Sequence, residues 1–541
     1  MSSAHIDRFV RDRVPPPEQL PRLLFDLPGL QFAAQLNCAT ELLDRWVAQG
    51  DGARLAVLGA APDGSPIRWS YAELQAQANR IANVLVNDLG LVPGNRVLLR
   101  GANSPMLAAC WFGVVKAGGI AVGTMPLLRA RELIGIAAKA EITHALVDAR
   151  LAEEVSLARP QCPTLAHVLH FNGAAEAGLE AAMAAQATSF ANIDTAADDT
   201  CLIAFTSGTT GQPKAALHFH RDVMAACACW PPHVLRAEAD DRVIGSPPLA
   251  FTFGLGGLLL FPLSIGAASV LVEKATPDAL PAAIARHRAT ICYTSPTAYR
   301  AMASQLAAHD ISSLRKCVSA GEALPAATRK LWKDTTGIEI IDGIGSTELL
   351  HIFISATEAQ ARGGATGFVV PGYQACVLGD DGQPLPPGQV GRLAVRGPTG
   401  CKYLADERQK SYVQDGWNLT GDAYLIDPAD GQFVYQARTD DMIISGGYNI
   451  AGPEVESALL LHEAVAECGV IGVADGQRGQ IVKAFVVLKP GHASDAAMAK
   501  ALQDFVKATV APYKYPRAIE FRDALPRTET GKLQRFKLRG A

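Results

Sequence analysis

No C-x-x-C pair occurs among the eleven cysteines of this 541-residue chain, which lie scattered from Cys38 to Cys468. That pattern lacks the common zinc and dithiol-redox signatures, and Cys227 and Cys229 are too close in sequence to bridge easily. Reduced, mostly buried thiols are expected. Neither charge dominates: 49 Lys and Arg stand against 53 Asp and Glu, so nothing electrostatic favours nucleic acid as a partner. The opening stretch MSSAHIDRFVRDRVPPPEQL lacks a signal-peptide apolar core, and a cytoplasmic protein is expected. Internal repeats and low-complexity tracts are also lacking. One uncharged run, GLGGLLLFPLSIGAASVLV (254–272), nearly reaches a bilayer's length. Its four glycines and central proline fit a buried helix, a turn and a core strand better than membrane insertion.

What is present describes a globular protein of roughly two to four domains, with 49% hydrophobic and 19% charged residues. From about residue 50 to 350 short apolar runs (RVLLRG, THALVDA, CLIAF, SVLVE, TICYTS, KCVSAG) alternate with helical patterns such as YAELQAQANRIANVLVNDLG. Parallel strands need helical crossovers, so parallel α/β sheets are expected. Between about 365 and 436 turn-rich strands point to a small β subdomain. The last hundred residues, with ECGVIGV and QIVKAFVVL as paired strands and DAAMAKALQDFVKATV as a helix, read as a small α+β domain.

The segment CLIAFTSGTTGQPKAALHFH (201–220) runs from an apolar strand into glycines, hydroxyls and one lysine. Such loops hold phosphate, because glycine lets backbone N–H groups approach an anion. The Walker pattern is nonetheless absent: Pro213 separates Gly211-Gln212 from Lys214, and no Ser or Thr follows the lysine. Ordered behind it come SAGEALP (319–325) after a strand, a DGIGSTE turn (342–348) after another, TGD (420–422), RTDDMIISGGYN (438–449) and PRTETGKLQR (526–535). Each alone reads equally well as a turn; together, in order, they define a constellation. The histidines of HFH (218–220) have no carboxylate or cysteine partner beside them and read as structural.

This constellation resembles the adenylate-forming superfamily of acyl-CoA synthetases, luciferases and peptide-synthetase adenylation domains, over the chain from about residue 30 to the end. DGIGSTELLHIF and SPPLAFTFGLGG look most like benzoate- and 2-aminobenzoate-CoA ligases, and APYKYPRAIEF is similar to medium-chain acyl-CoA synthetases. The resemblance implies an α/β fold with a large N-terminal region (1–439), holding parallel α/β sheets and the β subdomain, and a small mobile C-terminal domain (440–541). It also implies attack of a carboxylate on the α-phosphorus of ATP, release of pyrophosphate and transfer of the acyl group to CoA.

By the same resemblance, Thr206, Ser207, Gly208, Thr209, Thr210, Gly211 and Lys214 would gather around the β- and γ-phosphates, where charge builds as the bond breaks. Gly321, Glu322 and Ala323 would border the adenine, and Asp342, Gly343, Ile344, Gly345 and Ser346 the adenine and α-phosphate. Ile344 replaces an aromatic residue common in the family, so the base contact there would be aliphatic. Thr347 would bind a phosphate oxygen and Glu348 would hold Mg2+. Asp422 would accept from the ribose hydroxyls, assisted by Arg438; a turn residue and a surface ion pair are the plainer readings of these two. Lys532 would bridge the attacking carboxylate and the α-phosphate as the catalytic cation. Asp440 would be a hinge, swinging Gly446, Gly447 and Tyr448 to the pantetheine tunnel, with Arg478, Tyr515 and Arg517 as candidates either for CoA contact or for surface packing.

Phe251, Thr252 and Phe253 match the family's acyl-pocket segment, with Ala320 and Gly345 beside them and His351, just after a GSTELL helix start, closing the far side. Phenylalanines around a small polar residue suit a flat ring, although plain core packing gives the same pattern. An aromatic acid is therefore the expected substrate, with ATP, Mg2+ and CoA, in an aromatic-acid-degrading ligase; a homodimer stays open. A medium-chain acid or a separate carrier protein is the alternative. A non-catalytic nucleotide-binding protein is disfavoured by intact Glu348, Asp422, Arg438 and Lys532.

Overall fold

The computed structural model describes residues 2–173, 178–206, 213–439, 441–445, 448–475, 478–510, 512–527 and 533–539. The strands that build the site are, in chain order, β1 (Thr200–Thr206), β2 (Lys214–Phe219), β3 (Lys316–Ser319), β4 (Ile340–Gly345), β5 (Ile352–Ser355), β6 (Trp417–Ile426), β7 (Phe433–Arg438), β8 (Val465–Asp475) and β9 (Gly479–Leu488).

Among the described residues these strands fall into four sheets. A six-stranded sheet runs parallel from His167–Phe171 through Arg96–Arg100 to β1 and ends on antiparallel β2. A nine-stranded sheet is parallel at its centre, where β3 lies beside β4, and turns antiparallel at both ends. Strand Arg96–Arg100, apolar between its two terminal arginines, is buried along its whole length, as expected for a parallel sheet covered on both faces. Helices cover these sheets. The one over Tyr71–Asn83 is fixed at its start by Ser70, whose hydroxyl accepts from Glu73 N at 3.2 Å while the Glu73 carboxylate accepts from Ser70 N at 2.7 Å.

The uncharged run folds as expected. It is helical from Thr252 to Ser264, turns at Gly266 with φ +76°, and ends in the buried strand Ala268–Val270. No described helix is long and apolar enough to cross a membrane. The region from Gln374 to Arg438 forms a five-stranded antiparallel sheet containing β6 and β7. The C-terminal sheet pairs β8 with β9 over ten registered positions and packs against Gly452–Leu459 and Ala496–Thr509 around its own core, including Val455, Val470, Val486 and Leu502.

Candidate active site

β1 and β2 form a hairpin in which Thr206 stands opposite Lys214. The segment between them therefore leaves and returns to one sheet edge. A Walker loop instead runs into a helix whose N-terminus meets the phosphate. Here strand β2 follows instead of a helix. Ser207, Gly208, Thr209, Thr210 and Gly211 lie outside the described residues.

Two expectations about the next motif need correcting. Asp342 to Gly345 belong to strand β4 rather than to a turn. GSTELL starts no helix: residues 346–351 make a reversal in which Leu350 takes φ +71°, outside the right-handed helical region. The cause is tertiary. β5 folds back antiparallel on β4, with Ile344 opposite Ile354 and Gly345 opposite Ile352, so the chain must turn between them. Ser346 Oγ accepts from Leu349 N at 3.2 Å, which fixes the reversal. Gly345 is required there because a Cβ would sit 2.5 Å from the His351 carbonyl oxygen.

The described nucleotide candidates share one cleft of about 850 Å³. Thr206 and Lys214 line it, as do Gly321, Glu322 and Ala323 after β3 and the whole run Asp342 to Glu348. Asp422 and Arg438 complete that wall, directly opposite each other on β6 and β7, with Arg438 Nη1 donating to Asp422 Oδ1 at 3.2 Å and to the Thr420 carbonyl at 3.0 Å. Gly321 takes φ +90°, which lets the chain leave β3 sharply. Burial pushes the Asp342 carboxyl up to about 6.

Glu348 is buried at the cleft wall and receives the Tyr403 hydroxyl at Oε1. Burial and this carboxylate both push the Tyr403 phenol up, so it stays a protonated donor. Lys214 Nζ lies 5.2 Å over the same ring. His218 Nε2 is 2.9 Å from the Thr347 carbonyl; a carbonyl only accepts, so Nε2 carries the proton. Burial holds His218 down at about 4, hence neutral. This bond joins β2, in the six-stranded sheet, to the turn after β4, in the nine-stranded one. Tyr403 and His218 escaped the sequence reading because nothing in CKYLADE or HFH signals a partner more than fifty residues away.

The second histidine of HFH is structural, as expected, but it does have cysteine partners, brought to it by the fold. Cys38 Sγ lies 3.3 Å from His220 Nδ1, and Cys201 joins them so that the three ligand atoms fall within 4.8 Å, all buried. The Cys38 amide already donates to His220 Nδ1 at 3.1 Å, so the cluster is hydrogen-bonded core.

From the C-terminal side Arg527, Leu533 and Arg535 reach the cleft, and Arg527 pairs with Leu533 across a β-bridge. Lys532 lies outside the described residues, as do Asp440, Gly446 and Gly447; Tyr448 begins the short strand Tyr448–Ile450. Tyr515 and Arg517 are together, with Arg517 Nη1 donating to the Tyr515 hydroxyl at 2.9 Å. The Arg517 amide donates to the Val482 carbonyl at 2.8 Å, four residues along from Arg478, about 13 Å at strand spacing. The structure does not bring these three into one site.

The acyl-pocket candidates divide. Phe251 and Thr252 border a separate apolar pocket of about 20 Å³ with Trp111 and Leu107, room for about one water. Phe253 and His351 instead meet 5.7 Å apart in an aromatic cage with Phe261 (4.4 Å from the imidazole) and Trp230 (5.6 Å), and Phe253 also packs on Tyr293. Ala320 is buried in the same core. Burial drives His351 down to about 3, so it is neutral. Among the described residues neither of its nitrogens, nor Tyr293 Oη, nor Trp230 Nε1, completes a well-formed hydrogen bond, although the Phe253 backbone acts on the imidazole. The cage abuts the cleft wall where the His351 backbone touches Gly345. Trp230, Phe261 and Tyr293 come from three separate elements, and no local pattern links them.

Residues 43–403 match the family of AMP-binding enzymes, and residues 454–532 match the AMP-binding enzyme C-terminal domain. The chain belongs to this adenylate-forming family. It is 36% identical to the benzoate–CoA ligase of Thauera aromatica over 523 residues, 95% of this chain and 98% of that one. Its fold matches the anthranilate CoA ligase solved in complex with anthranoyl-AMP at a TM-score of 0.90 and 36% identity, over 95% of this chain and 98% of that one. A benzoate CoA ligase from Burkholderia xenovorans matches at 0.83 and 33% identity, over 93% and 99%. The protein is an AMP-forming acyl-CoA ligase with aryl-acid ligases among its relatives, and ATP and CoA are the substrates this family implies.

Proposed function

We propose that this ligase activates benzoate or 2-aminobenzoate as the acyl-adenylate and passes the acyl group to CoA. The observation that carries the aromatic assignment is the cage of Phe253, Phe261, Trp230 and Tyr293 around a neutral His351. Flat faces suit an aryl ring, and buried nitrogens without partners suit a ring that brings a polar ortho group. Phe251 and Thr252 stand outside this reading, in their own small pocket.

The carboxylate would enter the cleft past Gly345 and meet the α-phosphorus. Lys214, Thr206 and residues 207–211 would hold the β- and γ-phosphates. Gly321, Glu322, Ala323 and Ile344 would frame the base, and Asp422 with Arg438 the ribose. Thr347 would bind the α-phosphate. Lys532 would lie between two anions that repel each other and offset both in the transition state. Glu348 suits Mg2+: only Tyr403 bonds it among the described residues, at Oε1, leaving a hard carboxylate oxygen at the cleft. Bound there, Mg2+ would neutralise phosphate charge.

The acyl-adenylate is a reactive anhydride and must be kept from water until the thiol arrives. We place the boundary between residues 1–439 and 440–541 at Asp440, whose rotation would withdraw Lys532 and admit CoA along Gly446, Gly447 and Tyr448. Arg478, Tyr515 and Arg517 are exposed enough to meet the CoA nucleotide only as separate contacts.

A panel of benzoate, its amino and hydroxy derivatives and C4–C10 acids tests the substrate, with aryl acids expected to give the highest kcat/KM; a straight-chain optimum overturns the assignment. Lys532→Ala should abolish pyrophosphate exchange yet leave transfer from preformed acyl-adenylate to CoA. Equal loss of both steps would contradict the two-pose mechanism.

A further inference from the structure

Arg527 stands at the base of the segment that carries Lys532 and bridges two carboxylates from opposite sides of the cleft. Its Nη1 lies 3.1 Å from Glu322 Oε1, on the wall after β3, and 3.3 Å from Thr297 Oγ1. Its Nη2 lies 2.9 Å from Glu467 Oε2, on β8 of the C-terminal sheet. Arg527 and Glu322 are largely shielded, their side chains 25% and 16% exposed, so this contact is less screened than an ordinary surface pair.

Each partner stays satisfied if the crossing contact opens. Arg527 keeps Glu467, which lies on β8, on the same C-terminal side of the cleft. Glu322 keeps the Thr297 hydroxyl, which donates to Oε2 at 2.7 Å. Opening therefore strands no buried charge, the usual reason such a contact would be permanent. Close by, Arg300 Nη2 lies 3.4 Å from the Val465 carbonyl, a weaker crossing of the same seam.

We propose that Arg527 is a positioning residue for adenylation: its bond to Glu322 seats the Lys532 segment against the nucleotide wall for the first half-reaction and releases for the second. This rests on the two-step reading above. It assigns the seating to one ion pair between residues 205 apart in sequence.

The test compares Arg527→Gln, Glu322→Gln and the double variant in two assays, with Lys532→Ala as reference. Pyrophosphate exchange should fall about tenfold in each single variant and no further in the double one. Thioester formation from supplied acyl-adenylate should stay within about twofold of wild type in Arg527→Gln; Glu322, which frames the base, is read through exchange alone. High salt should narrow the exchange difference between wild type and Arg527→Gln. The swap Arg527→Glu with Glu322→Arg should regain part of the lost exchange, which a merely structural role would not give. Equal loss in both half-reactions, or additive losses in the double variant, overturns the latch. If Lys532→Ala itself keeps full exchange, the two-step reading falls first; if Lys532→Ala is dead in exchange while Arg527→Gln is normal, the latch alone falls. Circular dichroism and urea midpoints on each variant separate misfolding from a seating defect.

Discussion

His351 sits neutral among Trp230, Phe253 and Phe261, and among the described residues its two nitrogens complete no well-formed hydrogen bond. An unpaired buried polar atom costs about 1–3 kcal/mol and persists where something else uses it. Replacing the imidazole by a phenyl ring removes both nitrogens while keeping a flat side chain. His351→Phe should unfold at a urea concentration no lower than wild type, within about 1 kcal/mol. Its preference, read as kcat/KM for 2-aminobenzoate over benzoate, should drop about tenfold. An unchanged ratio would mean that His351 only packs. That Thr206, Lys214, Glu322, Glu348 and Asp422 belong together was legible in the sequence, because they stand in motifs of fixed order, and they share one cleft. Tyr403 and His218 were not, because their partners, Glu348 and Thr347, lie far off in sequence and are met only through tertiary packing.

At the level of elements, the apolar runs that read as strands are strands: CLIAF lies within β1, and ECGVIGV and QIVKAFVVL within β8 and β9. Uniformly apolar sequence leaves little choice in a sheet covered on both sides. β4 was hidden, since Asp342, Gly343 and Gly345 are poor strand formers, and it is pairing with β3 at Asp342 and with β5 from Gly343 to Gly345 that holds them extended. The GSTELL reversal was hidden for the same reason, because Glu and Leu favour helix unless a returning strand forbids it. Gly345→Ala tests this hairpin directly. With a Cβ only 2.5 Å from the His351 carbonyl, β4 and β5 must separate or slip, at a cost of about 1–3 kcal/mol. Urea unfolding should show that loss, and pyrophosphate exchange should fall further than stability does. A variant as stable and active as wild type would refute the close approach.

Across the whole molecule, buried histidines set the acid limit. His5 is held at about 4, His218 at about 4 and His351 at about 3, against 6.5 for an unfolded histidine. Between pH 6.5 and 4 the unfolded chain therefore binds protons that these three refuse, and stability falls as pH falls. Asp342 acts oppositely: raised from 3.8 to about 6, it binds a proton in the fold first and gains stability on acidification through that range. These four groups alone give a net uptake of about two protons on unfolding near pH 5, a slope of about 3 kcal/mol per pH unit. Urea titrations at pH 7, 6 and 5 should show this decline; a flat or rising profile would show that those rings are not buried neutral. The bond from His218 to the Thr347 carbonyl carries a last consequence. It ties β2 to the turn that bears Glu348, across two sheets that share one apolar core, so acid that charges this imidazole should loosen that turn at the cleft before the core gives way. ATP affinity is then the earliest gauge of damage, fading before circular dichroism registers any loss.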